Sequence, residues 1–76
     1  MTEFEVDGKT VRIGTQFASG GMIHVDGTHV ANYATLSKEF WPDFGGKFRV
    51  SQGDNPCFGT KKEMAQAAAV SDWVWK

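Results

Sequence analysis

Two Asp-Gly pairs, Asp7-Gly8 and Asp26-Gly27, restrict this chain more than any other feature. Each lies between short runs in which apolar and polar residues alternate. A two-residue type I′ turn needs φ > 0 at both central positions, and Asp-Gly accepts that conformation. Each pair therefore predicts a tight β-hairpin. The turn sets the register, and the register decides which side chains share a face.

Turning the chain at 7–8 places Val6 opposite Lys9, Glu5 opposite Thr10, Phe4 opposite Val11, Glu3 opposite Arg12 and Thr2 opposite Ile13. Phe4, Val6, Val11 and Ile13 then line one face, and Glu3, Glu5, Thr10 and Arg12 line the other. Turning at 26–27 places Val25 opposite Thr28, His24 opposite His29, Ile23 opposite Val30 and Met22 opposite Ala31. Ile23, Val25 and Val30 form the apolar face, and both histidines point away from it.

Between the hairpins, Ala18-Ser19-Gly20-Gly21 reads as a flexible loop. Tyr33, Leu36 and Phe40 recur at helical spacing, which predicts a short middle helix over 34–40, stopped by Pro42 and Gly45-Gly46. Lys47 to Gln52 alternates strictly and reads as a strand with Phe48 and Val50 inward. Gly53-Asp54-Asn55-Pro56 is a turn, and Cys57-Phe58 a brief return strand. Thr60 with Glu63 three residues later is a capping box opening a C-terminal helix rich in alanine. Met64, Ala67, Ala68, Ser71, Val74 and Trp75 fall on its apolar stripe, and Trp73 falls opposite. The predicted architecture is one α+β domain over 1–76. An antiparallel sheet of four to five strands has one face covered by the C-terminal helix, with the middle helix at an edge.

With 76 residues the chain is near the lower limit for folding without staples, and its six Phe and three Trp supply the apolar surface. A single cysteine, Cys57, cannot form an internal disulfide, which suits a reducing compartment. No apolar run approaches the ~20 residues of a membrane span, so the expected location is cytoplasmic. The net charge of −1 argues against a globally basic nucleic-acid binder.

Catalytic chemistry finds little footing. Cys57 has the setting of a half-buried structural position, a buried inert thiol, and no carboxylate pair stands at general acid/base spacing. Gly20-Gly21 and Gly45-Gly46 lack the lysine and the strand–loop–helix context of a phosphate loop. His24 and His29, opposed across a hairpin with Cβ atoms ~4.5–5.5 Å apart, have the spacing to share a transition metal. A stable zinc site needs further ligands, so no metal and no cofactor are expected.

The aromatic surplus carries the functional expectation. Phe17, Tyr33, Phe40, Trp41, Phe44, Trp73 and Trp75 exceed what one small sheet–helix interface needs, and aromatic side chains anchor protein partners. Trp41, Phe44 and Trp73 are the expected contact residues of a non-enzymatic protein-binding module. Small chains of this kind are often phage- or mobile-element-encoded inhibitors of host machinery, anti-CRISPR proteins among them. The competing reading is nucleic-acid binding through Arg12, Lys47, Arg49, Lys61 and Lys62. Monomer and homodimer, the latter through an exposed strand edge, both fit the pattern.

Lys47 to Val70 also resembles the amino-terminal DNA-binding domain of phage-type integrases: a strand Phe48-Arg49-Val50, a turn, Phe58-Gly59-Thr60-Lys61 and an alanine-rich helix. The likeness spans a third of the chain. The strong basic charge of that family is missing and the preceding strands are spaced differently, so the resemblance assigns no site residue.

Overall fold

A computed structural model describes residues 2–15 and 20–75. Both Asp-Gly turns form, with positive φ at Asp7, Gly8, Asp26 and Gly27. They join β1 (Thr2–Val6) to β2 (Lys9–Ile13) and β3 (Gly20–Val25) to β4 (Thr28–Thr35). The first hairpin has the register read from the sequence throughout, from Thr2–Ile13 to Val6–Lys9. The second agrees at Val25–Thr28 and His24–His29 and then departs, with Ile23 opposite Ala31 and Met22 opposite Asn32. Val30 is the extra residue of a β-bulge, and the local break in alternation leaves Val30 and Ala31 both buried. Asp26 ties the two hairpins together: its Oδ1 accepts from the Thr10 N–H at 3.0 Å, and its own N–H donates to the Thr10 carbonyl at 2.9 Å.

β5 (Phe48–Val50) and β6 (Cys57–Phe58) complete an antiparallel meander in the order β1-β2-β3-β4-β5-β6. The sheet thus has six strands rather than four to five. The expected middle helix over 34–40 does not form. β4 instead continues to Thr35, because Tyr33, Ala34 and Thr35 pair with Val50, Arg49 and Phe48. Tyr33 points into the core and donates its hydroxyl to the Gly14 carbonyl at 2.8 Å, a buried bond no helix would allow. Its helical spacing with Leu36 and Phe40 is a coincidence of sequence.

Gly20 and Gly21 belong to β3, not to a loop; residues 16–19, including Phe17, lie outside the described residues. A β-carbon on Gly21 would collide with the Gly14 carbonyl oxygen, and one on Gly20 with that of Tyr33. These glycines serve close backbone approach.

The C-terminal helix α1 (Lys61–Val70) starts where the sequence indicates, with the Thr60 hydroxyl accepting from the Glu63 N–H at 3.1 Å. It stops earlier than the apolar stripe suggests. Ser71 is already extended, and the run Val70-Ser71-Asp72-Trp73-Val74-Trp75 contains no strong helix former. The buried stripe is accordingly Met64, Ala65, Ala68 and Ala69. These pack with Val11, Ile13, Ile23, Ala31, Tyr33 and Val50 into one core. The helix reaches β1, β2, β3 and β6. In a flat sheet of six strands the outer two would stand about 24 Å apart, beyond the reach of a helix about 10 Å across. The sheet therefore curls around α1.

Lysine 9 closes the assembly. Its ammonium donates to the Ala69 carbonyl at 2.9 Å, so β2 supplies the positive charge that the last turn of α1 lacks.

Candidate functional site

Leu36 is buried and marks the base of a segment, residues 36–47, that leaves the sheet between β4 and β5. The base is closed by the Leu36 N–H on the Lys47 carbonyl at 2.9 Å and the Gly46 N–H on the Leu36 carbonyl at 2.8 Å. Inside it, Trp41 N–H donates to the Ser37 carbonyl at 2.9 Å, Phe44 N–H to Trp41 at 3.0 Å and Lys47 N–H to Phe44 at 3.0 Å. Gly46 takes φ +84, and Gly45 lies so close to Lys38 that a β-carbon there would strike its backbone. Five backbone hydrogen bonds within the segment fix its path.

Those rings face solvent. Phe40 is 77 % exposed, Trp41 43 % and Phe44 44 %. The Lys47 ammonium sits 5.6 Å from the centre of the Phe44 ring, a cation–π contact at the edge of the patch. Trp41 and Phe44 are thus accessible as the sequence suggests. Phe40, the most exposed of the three, was masked by its apparent place on a helix stripe.

Trp73 stands apart from this patch. The chain is no longer helical there, so the ring does not project from the back of a helix. It is half-buried against the core, its ring centre 6.3 Å from that of Phe58 in an edge-to-face arrangement. Trp75 packs on His29, with ring centres 5.1 Å apart. The Gln52 side-chain amide donates to the Val74 carbonyl at 3.0 Å and holds the tail between them.

The basic residues do not converge. Arg12 and Arg49 alternate away from the core on the sheet face opposite α1, with β3 and β4 between them, and the Arg12 Nε lies 3.2 Å from Glu3 Oε2. Lys61 and Lys62 open the helix on the other side. Lys47 belongs to the aromatic loop. Cys57, expected as a buried thiol, is instead exposed, because β6 is the outermost strand of the sheet. His24 and His29 oppose each other as expected, with ring centres 5.3 Å apart.

No cavity opens among the described residues, and no three His, Cys, Asp or Glu side chains among them gather as a metal cluster. No helix among them is long and apolar enough to cross a membrane. Comparison with protein-family models, with curated proteins and with solved structures finds no match in any of the three.

Proposed function

We propose that this chain is a non-enzymatic protein-binding module that docks through residues 36–47, with Phe40, Trp41 and Phe44 as anchors. One observation carries the reading: three large rings stand exposed on a loop whose backbone is already bonded to itself. Aromatic residues dominate the energetics of protein interfaces, and a preformed loop loses little conformational freedom on docking. Lys38, Glu39, Asp43 and Lys47 intersperse both charges among the rings, supplying the polar rim such an interface needs. Within this class we place the chain among inhibitors that act by occluding a partner, the mode open to small phage- or mobile-element-encoded proteins such as anti-CRISPR proteins. That narrower placement is a general expectation for small proteins, which no residue of this chain carries.

The test is an affinity capture from the lysate of the source cell, with the parent chain and a Phe40→Ser/Trp41→Ala/Phe44→Ala variant as baits. A protein retained by the parent and lost by a variant that melts at the parent temperature supports the loop as the docking site. Equal capture by both baits removes it. Loss of about 2 kcal/mol or more per anchor is the expected scale.

A further inference from the structure

On the sheet face opposite α1, one row of residues crosses four strands in register: Glu3, Arg12, His24 and His29. The two imidazoles at its end are directly opposed on β3 and β4, with ring centres 5.3 Å apart. With metal–nitrogen bonds of about 2.0–2.1 Å, two imidazoles on one ion have ring centres no more than about 6.5 Å apart. The observed separation lies inside that limit.

The surroundings of His29 add what the spacing alone lacks. Its Nε2 lies 3.1 Å from the Ala31 carbonyl oxygen and 2.7 Å from Asn32 Oδ1. Neither oxygen can donate, so Nε2 carries the hydrogen and shares it between them. In the neutral ring the lone pair is then on Nδ1. Metal-binding histidines characteristically hold their second nitrogen in this way, donating to a carbonyl that fixes the tautomer and raises ligand basicity. The bulge at Val30 brings Asn32, rather than Ala31, opposite Met22, and so sets this partner on the histidine face. Arg12, opposite His24, has its guanidinium held by Glu3 at 3.2 Å, which offsets its repulsion of an incoming dication.

We propose that His24 and His29 form a two-imidazole site for a divalent transition metal, with His29 oriented by Asn32 and the Ala31 carbonyl and the remaining coordination positions open. For nitrogen donors the first-row order of affinity places Cu²⁺ ahead of Ni²⁺ and Zn²⁺, so Cu²⁺ is the ion of choice for detection. The site is independent of the aromatic loop and stands or falls separately from it.

The protein carries its own reporter, since the Trp75 ring centre is 5.1 Å from that of His29. In a Cys57→Ser background, which removes the exposed thiol as a competing donor, Cu²⁺ titration followed by calorimetry should show one equivalent bound, with quenching of indole emission. His24→Asn and His29→Asn should each weaken binding at least tenfold, and Asn32→Ala about tenfold through loss of ring orientation. Trp75→Phe should preserve the calorimetric affinity and lose most of the quench. Each variant is used only if it melts as the parent does, with His→Gln at the same position replacing one that does not. Parent-like Cu²⁺ affinity in both histidine variants overturns the proposal, as does the lack of one-equivalent binding in the parent.

Discussion

The loop at residues 36–47 and the tail at residues 71–75 both carry large aromatic side chains outside regular structure, yet they are held in different ways. The loop bonds to itself, through Leu36, Lys47, Gly46, Ser37, Trp41 and Phe44, and leaves Phe40 mostly exposed and Trp41 and Phe44 nearly half exposed. The tail is held instead from outside, by Gln52 on Val74, and it lays Trp73 against Phe58 and Trp75 against His29. Aromatic content by itself does not mark a docking surface. What separates the two segments is where the backbone finds its hydrogen bonds: the loop closes on itself, whereas the tail is tied to Gln52 and lays its rings on neighbouring ones, Trp75 remaining 40 % exposed.

Three substitutions probe that contrast. Trp73→Ala should cost the most, about 2 kcal/mol, because a ring packed on the core is removed. For a domain of this size that is a fall of roughly 10 °C in Tm. A Tm within a degree or two of the parent would place Trp73 with the loop rings. Gln52→Ala, which releases the Val74 carbonyl, should cost about 0.5–1 kcal/mol and speed amide exchange in the tail without disturbing the sheet. Phe40→Ser should change stability by less than about 0.5 kcal/mol, as surface substitutions away from packed features do. A drop as large as that of Trp73→Ala would show that the loop is also glued by its rings.

The same contrast explains what could be read in advance. The hairpins were legible because their instruction is local: Asp-Gly demands a turn, and alternation on each side settles the first register through to Thr2–Ile13. The bulge at Val30 was not, since it reflects how β4 must meet both β3 and β5. Helical spacing at Tyr33, Leu36 and Phe40 misled for a related reason. Each residue has a separate job: Tyr33 a core ring bonded to Gly14, Leu36 a plug at the loop base, Phe40 an exposed ring. The start of α1 was visible in Thr60, while its buried stripe includes Ala65 and Ala69 rather than Ala67 and loses Ser71, Val74 and Trp75 because the helix ends at Val70. Of the candidate anchors, Trp41 and Phe44 were found from aromatic surplus in a turn. Phe40 was hidden by the assumed helix, and Trp73 was assigned to the surface by a helical projection that its backbone does not follow. The contact of Lys9 with Ala69, sixty residues away, has no local signature at all.

That lysine clasp has a consequence for how the molecule is made. In a meander every strand leans on its neighbour, so the sheet could in principle zip up one ribbon at a time, with its water-averse side bare. The helix that fills the trough follows all six strands in the chain and is hooked by the second of them. A chain made only as far as Thr60 would present Val11, Ile13 and Ile23 to any passing chaperone, and native rigidity should arrive when α1 docks.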